Sequence, residues 1–589
     1  MIDGKTVLDL FAQQLDKHYD QQAVCSGNKW LTFNDLEQRS GSICRQLVNS
    51  GVKRGDMVGF IQSHDIELPA LILGILKSGG ICVPMDPLLP VPQLRSVLHT
   101  LPVKYIISQY KHVSLATRLR GGVIIADQEG ATSKAVSITS NDGAFVFFTS
   151  ATTGKMKAVI RSHLSLASSL QASVSSTGIT SPDCTFLLRS AISHTVVSWE
   201  LLFPLVAGFK LIIAPHFVNH DPVKMTQLLI RHNVTYVCLS PAHLRLLVVS
   251  KEIEKLGHLE TIETSGEVLP KDIVKTVLNK TKAKLVSVYG CTEVPAVASH
   301  QYFSSKGTVD YIGKVRDSME LRLLDSEFNP VLDGNVGEMF VSNPNMPIGY
   351  VNNEVETRKR FVNIADEKGG IVVNRVFFRT GDLGRLLDNG EYEYLGRIDR
   401  QVQINGYRVE LQELETLLRG RPSILDAYVT YSELPSGLSI LCAYLIAEDH
   451  RLEIEHKDLR AELLELIPEY KIPKLFVQVN SFPMNNHHKI DREQLPSPES
   501  VLKNRKTSTV PELSSTEELV SAVWGRFLGV TNLQPTDDFF LLGGDSFSAI
   551  SMLNAFKDEY QFDLGLDLFL DATTLSKFSD LFEKSRRSK

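Results

Sequence analysis

Cysteine is scarce and unpatterned: the seven in 589 residues stand at 25, 44, 82, 184, 238, 291 and 442, with no C-x-x-C pair. Neither a zinc site nor a disulfide framework is indicated, and the thiols read as reduced core or pocket residues. An excess of positive charge is also missing. Lys and Arg number 62 against 68 Asp and Glu, a formal net charge of −6, which leaves no electrostatic footprint for nucleic acid or an anionic membrane. No uninterrupted apolar run reaches the ~20 residues that span a bilayer. The opening Met1-Ile-Asp-Gly-Lys-Thr6 lacks the basic, apolar and small-residue succession of an export signal. A cytoplasmic protein with no nucleic-acid or membrane partner is expected. Internal repeats are missing too, as is the G-x-x-x-x-G-K-[ST] loop, so a kinase or ATPase of that kind is not supported.

What is present is the composition of an ordinary globular chain, 43% hydrophobic and 22% charged, too long for one core. Helix is expected over 6–17, with Val7, Leu10, Phe11 and Leu15 on one face, then helix 35–49, strand 57–61, helix 67–77 and strand 81–84. Such alternation predicts a parallel sheet covered on both faces. The rhythm recurs over 166–296, with buried-strand candidates at 210–214, 234–238 and 285–289, so a second α/β layer is expected. Shorter strands and Gly, Asn and Asp turns after Tyr302 predict a small β-rich unit up to about 395. The reading divides the chain into an α/β core over 1–395, a mixed α+β unit over 396–496, a Pro-, Ser-, Lys- and Thr-rich linker over 497–514, and a helical bundle over 515–589. The bundle should open with a helix at 515–528, its apolar face carrying Leu519, Val523 and Phe527, capped by Ser515 or Thr516.

Five stretches carry chemistry. Thr149-Ser-Ala-Thr-Thr-Gly-Lys-Met-Lys157 leaves the apolar run 144–148; its hydroxyls, backbone N–H groups and lysines suit an oxyanion, the plain alternative being a surface turn. Val288-Tyr-Gly-Cys-Thr-Glu293 puts a carboxylate just beyond a strand end, where Glu293 could hold a magnesium ion bridging phosphate oxygens. In Arg379-Thr-Gly-Asp382 a carboxylate after a tight turn could accept both hydroxyls of a ribose. The segment 396–410 concentrates glycine and arginine, as a mobile, anion-contacting stretch would, and Lys489 stands on a polar loop. Taken singly, each is equally compatible with a turn, a surface ion pair or a solvated lysine.

Taken in this order, and with Leu31-Thr-Phe-Asn-Asp-Leu36 and Leu76-Lys-Ser-Gly-Gly-Ile-Cys-Val-Pro-Met-Asp86, the set resembles the adenylate-forming enzymes, within them the amino-acid or aryl-acid adenylation domains of nonribosomal peptide synthetases. The resemblance spans roughly 1–500. Asp537-Asp-Phe-Phe-Leu-Leu-Gly-Gly-Asp-Ser546 resembles the attachment motif of a peptidyl or aryl carrier domain, in which the serine bears 4'-phosphopantetheine. The implied activity is an AMP-forming acid–carrier-protein ligase that uses ATP and Mg2+. Its carboxylic acid substrate would attack the α-phosphate of ATP, and a thiol would then displace AMP. The resemblance implies catalytic roles for Lys489, Glu293 (with Mg2+) and Thr149. It implies nucleotide contacts from Ser150, Thr152, Thr153, Gly154, Lys157, Tyr289, Thr292, Asp382, Arg397 and Arg408, and a hinge at Asp399. A phosphopantetheinyl transferase and a downstream synthetase module or condensation domain are the implied partners. The chain departs from the family at Ala151, Met156 and Ala158, where glycine, proline and glycine are usual, and at His488, where glycine usually precedes the lysine.

By the same alignment the acyl pocket is His194, Thr195, Val196, Trp199, Cys238, Glu263, Ser265, Val288, Ala296 and Val297. Amino-acid-activating relatives carry an aspartate at the position of Thr195. Its replacement by an uncharged residue implies an acid without an α-amine, and the apolar slot favours an amino- or hydroxy-substituted benzoate, anthranilate-like. Glu263 would accept from a ring amino or hydroxyl group, or pair with a loop residue. An α-keto, α-hydroxy or small aliphatic acid, an acyl-CoA ligase and a non-catalytic carrier scaffold are the alternatives.

Overall fold

The computed structural model describes residues 4–119, 123–126, 136–149, 156–176, 179, 183–215, 218, 221–303, 310–347, 349–368, 371–404, 407–433, 439–449, 451, 454–484, 490–503, 513–528, 530, 533–540, 542, 544 and 546–587. The first helix, Val7–His18, starts where Thr6 and Asp9 form a capping box, and Phe33–Asn49 starts the same way on Thr32 and Asp35. Each buries the apolar stripe that its sequence periodicity sets on one side.

The alternating segment folds into a six-stranded sheet in the order Val123–Ile125, Val103–Ser108, Met57–Ile61, Ile81–Pro84, Gly143–Thr149, Lys157–Ser162, parallel except for the last pair. Met57–Ile61 and Ile81–Pro84 are buried at every position, as strands covered on both faces must be. A second sheet holds Lys210–Ile213, Thr185–Leu188, Tyr236–Leu239, Thr261–Ser265 and Lys284–Tyr289 as parallel neighbours. The β-rich segment is hydrogen-bonded onto it: Ala298–Tyr302 pairs antiparallel with Lys284–Tyr289, and Tyr311–Val315, Tyr392–Arg397 and Ile371–Leu386 continue the sheet.

Beyond it, Gln401–Ile404 and Tyr407–Glu410 form a hairpin, Ile404 opposite Tyr407. The strands Ile424–Glu433, Ser439–Ala447 and Leu475–Gln478 make a small sheet with Leu411–Arg419 and His456–Leu466 against it. Within the span read as a linker, Pro498–Lys503 is a short helix. The last unit has helices Ser515–Leu528, Ser546–Tyr560, Leu566–Leu570 and Leu575–Arg587 around an aromatic core of Trp524, Phe539, Phe556, Phe569, Phe578 and Phe582. Its first helix is capped by Ser514 in a capping box with Glu517, not by Ser515 or Thr516. The glutamate three residues on selects Ser514 among the neighbouring hydroxyls. Among the described residues, no helix is long and apolar enough to cross a membrane.

Candidate active site

Glu293 lies just past the end of strand Lys284–Tyr289 with 1% of its surface exposed. The Tyr350 hydroxyl donates to its Oε1 at 2.5 Å, and Arg408 Nη1 faces Oε2 at 3.5 Å. Arg408 Nη2 also reaches Glu410 Oε1 at 3.3 Å, giving a carboxylate–guanidinium–carboxylate chain whose two carboxylates are buried. Burial disfavours the ionised form of Glu293, but the charge of Arg408 and the Tyr350 hydroxyl outweigh it and hold the carboxyl below its usual range. At Glu410 burial prevails over Arg408 and pushes the carboxyl up.

Asp382 sits directly across from Arg397 on adjacent strands. Arg397 donates to its Oδ1, and the Tyr289 hydroxyl donates to Oδ2 at 2.5 Å. Burial raises the Asp382 carboxyl despite Arg397. The same guanidinium grips Asp399 at two points, Nε to Oδ1 at 2.7 Å and Nη2 to Oδ2 at 2.9 Å, and Arg360 Nη2 adds a third at 3.2 Å. Burial works against ionisation of Asp399, yet Arg397 and Arg360 bring it down to about 2. Gly381, at φ +79°, passes beneath this cluster, where a Cβ would stand 2.9 Å from Arg397 Nη2.

Ser150, Ala151, Thr152, Thr153, Gly154 and Lys155, and likewise Lys489 with His488, lie outside the described residues. Their flanks are placed. Thr149 pairs with Lys157 at one end of the antiparallel pair Gly143–Thr149 and Lys157–Ser162. The Lys157 ammonium is 2% exposed, bonded to Glu356 Oε2 at 2.7 Å and 5.5 Å from the centre of the Tyr350 ring. Ala158 is buried without a positive φ, so alanine fits where the family has glycine. Around Lys489, Met484 bridges Ile490, and the Asp491 N–H donates to Pro483 O at 2.8 Å.

A cavity of about 1360 Å3 joins Asp382, Arg397, Asp399 and Arg408 to most of the residues assigned to the acyl pocket. His194, Thr195, Val196, Trp199, Glu263, Ser265, Val288 and Ala296 line it, together with Tyr289, Thr292, Asp382, Arg397, Asp399 and Arg408. Cys238, Val297 and Glu293 are buried but do not line it. Thr195 opens the helix Thr195–Ala207, so a helix N-terminus faces the slot. Trp199 stacks on Phe203, and its indole N–H donates to Ser173 Oγ at 2.9 Å. Glu263 Oε2 accepts from the buried Tyr236 hydroxyl at 2.5 Å; burial raises its carboxyl, with Arg316 opposing. Arg316 is thus the loop residue whose charge acts on Glu263. Ala296 takes φ 55°, in the left-handed region where alanine is strained. At the mouth, Tyr407 meets His194 edge-on at 4.5 Å and stacks on Tyr470 at 3.8 Å. Burial lowers His194 to about 4, so its ring is neutral near pH 7.

Tyr350, Arg360, Glu356 and Tyr236 complete these clusters from distant parts of the chain, and from within the 396–410 segment come Glu410 and Tyr407. The signal for the last was Asn405-Gly406 between alternating residues, a hairpin dipeptide.

The corner at Glu293 fits magnesium chemically. It offers a hard carboxylate oxygen, Oε2, beside the Oε1 that accepts from Tyr350. That suits an ion which keeps most of its ligands as water and phosphate oxygens. A cation, the Arg408 guanidinium, already faces Oε2.

In the last unit, Ser546 is the first residue of helix Ser546–Tyr560. A Cβ on Gly544 would stand 2.3 Å from the Phe539 ring, so the glycine is fixed by the aromatic core. Ile440 and Leu475 of the small sheet share that core's apolar cluster, and helix Ser546–Tyr560 touches helix Pro241–Val249.

Residues 11–351 match the family described as AMP-binding enzyme, and residues 518–582 match that described as phosphopantetheine attachment site. Tyrocidine synthase 3 of Brevibacillus parabrevis is 30% identical over 99% of this chain, but the chain spans only 9% of that protein. Syringomycin synthase SyrB1 of Pseudomonas syringae pv. syringae is 28% identical over 99% of this chain and 96% of its own length. Among solved structures, holo-PA1221, a nonribosomal peptide synthetase protein with adenylation and PCP domains bound to a vinylsulfonamide inhibitor, superposes with a TM-score of 0.84 at 23% identity, covering 98% of this chain and 96% of that one.

Proposed function

The chain belongs to the AMP-binding enzyme family, and from that membership we propose that it activates a carboxylic acid with ATP and loads the acyl group onto a phosphopantetheine thiol carried by Ser546. In the first half-reaction a carboxylate oxygen of the acid bonds to the α-phosphorus of ATP. The bond from that phosphorus to the β-bridging oxygen breaks, and pyrophosphate leaves. In the second the thiol sulfur bonds to the acyl carbon, AMP departs, and the thiol proton passes to water. The observation that carries this reading is the convergence of Tyr289, Asp382, Arg397 and the acyl slot on one cavity, in a chain that also bears a serine-headed carrier helix.

The charge problem of the first step is the approach of two anions, which positioned cations relieve. Lys489 is assigned to bridge the carboxylate and the α-phosphate. Asp382, whose oxygens keep lone pairs beyond those used by Tyr289 and Arg397, is assigned to the ribose hydroxyls. The 149–157 loop is assigned to the phosphates. When bound at Glu293, magnesium supplies charge neutralisation for the phosphate oxygens. Domain limits at 395, 496 and 514, with the hinge at Asp399, belong to the same proposal.

The acid is proposed to lack an α-amine and to be an amino- or hydroxy-substituted benzoate. Thr195 offers no charge to an ammonium, and the helix N-terminus on which it stands favours negative charge instead. Burying an unpaired ammonium there would cost several kcal/mol. Glu263 is assigned to accept from a ring substituent through Oε1, since Oε2 accepts from Tyr236. A phosphopantetheinyl transferase and downstream synthetase domains are the proposed partners. ATP–pyrophosphate exchange over substituted benzoates, α-amino acids and α-keto acids tests the reading. The amino- and hydroxybenzoates are expected to lead; preference for an α-amino acid would refute the substrate assignment.

A further inference from the structure

We propose that Arg316 is a specificity residue of the acyl slot and that, with Glu263, it reads a ring hydroxyl: the guanidinium donates to the hydroxyl oxygen, and the hydroxyl donates to Glu263 Oε1. The inference rests on the reading of the acid as a substituted benzoate. Sheet register brings the two side chains to one face. Glu263 shares its face with Ser265, two residues on. Ser265 stands opposite Val288, Val288 opposite Ser299, and Ser299 opposite Lys314. Arg316, two residues beyond Lys314, returns to that face, and its N–H continues the ladder by donating to Val297 O at 3.0 Å. Both residues line the cavity. Three strand spacings of about 4.8 Å lie between their backbones, and the two long side chains close most of that distance.

What each group lacks is complementary. Among the described residues the Arg316 side chain makes no hydrogen bond or ion pair, and its Nε is buried with no acceptor. Glu263 Oε2 is taken by the Tyr236 hydroxyl at 2.5 Å, and no described residue donates to Oε1. The Arg316 charge nevertheless opposes the rise that burial imposes on the Glu263 carboxyl, so the two groups share one electrostatic neighbourhood. A hydroxyl satisfies both, since it accepts and donates at once. An amino group donates to Glu263, but its lone pair is delocalised into the ring and its hydrogens face the guanidinium. A methoxy group accepts from Arg316 and leaves Oε1 unpaired. A second carboxylate meets Arg316 but lies against Glu263. Because the acid displaces water from the slot, each of these leaves unpaired a polar group that the hydroxyl pairs.

The test is ATP–pyrophosphate exchange by the full chain with the ortho, meta and para isomers of hydroxy-, amino- and methoxybenzoate, read as kcat/KM. In the unmodified protein the best hydroxybenzoate is expected to exceed its amino and methoxy counterparts on the order of tenfold. Arg316→Met should remove most of that preference, by lowering kcat/KM for the hydroxybenzoate more than for the other two, and Arg316→Lys should keep part of it. An equal loss on all three would show that Arg316 only supports the wall of the slot, and would overturn the inference. Equal values for the three substituents in the unmodified protein would overturn it as well, even if Arg316→Met failed to fold, while leaving the aryl-acid reading intact. Exchange with none of the benzoates would refute that reading and this inference together.

Discussion

Asp399 holds two guanidiniums at once, Arg397 through two contacts and Arg360 through one. Its carboxyl is lowered from 3.8 to about 2. A depressed carboxylate stabilises the fold above its unfolded value and loses that contribution as pH falls through its folded value. The contribution is therefore complete above about pH 4 and fades toward pH 2. That depression corresponds to roughly 2 kcal/mol of stability. Asp399→Asn should lower the melting temperature of the unit at pH 7, with the gap to the unmodified protein narrowing below about pH 4 and closing near pH 2, as thermal melts across pH would record. A gap independent of pH would show that the three contacts are not what stabilises this turn.

At the scale of elements, the turn at Asp399 joins the strand Tyr392–Arg397 to the hairpin that delivers Tyr407 and Arg408. If rotation about it exchanges Lys489 for that hairpin, stiffening φ should separate the half-reactions. Asp399→Pro is expected to retain pyrophosphate exchange and lose thioester formation, whereas Asp399→Asn, which removes the clamp but not the freedom, should retain both. Loss of both activities in Asp399→Pro would count against a hinge there. The elements themselves were largely legible. Met57–Ile61 and Ile81–Pro84 stand where apolar runs place them, whereas the second helix starts two residues earlier than expected, because Thr32 and Asp35 form a capping box that the apolar spacing alone does not show. The cap at Ser514 was missed by one residue because adjacent serines and threonines compete, and the reciprocal bond from Glu517 decides between them. The hairpin at 401–410 was hidden beneath its arginines and glycines, although Asn405-Gly406 announces it.

At the scale of the molecule, motifs give the order of the parts but not the pairs they form. Glu293 follows a strand and is visible as a site; its Tyr350 partner lies 57 residues on, and Lys157 finds Glu356 199 residues away. No periodicity connects such positions, since they meet only when the sheets and the small units close on one cleft. The residues proposed for the acyl slot meet for the same reason in reverse: most sit at strand ends and a helix start that a parallel sheet brings to one edge, and most line one cavity. The carrier helix touching helix Pro241–Val249 closes the arrangement, with the serine-bearing element beside a wall of the cleft. The central claim, that one chain both activates an acid and loads its own Ser546, is tested most directly by intact mass. The phosphopantetheinylated protein is incubated with ATP, magnesium and an aminobenzoate. A mass gain of one acyl group on the Ser546 peptide, dependent on ATP and lost in Ser546→Ala, is the predicted result; an unchanged mass with every acid that supports pyrophosphate exchange would contradict it.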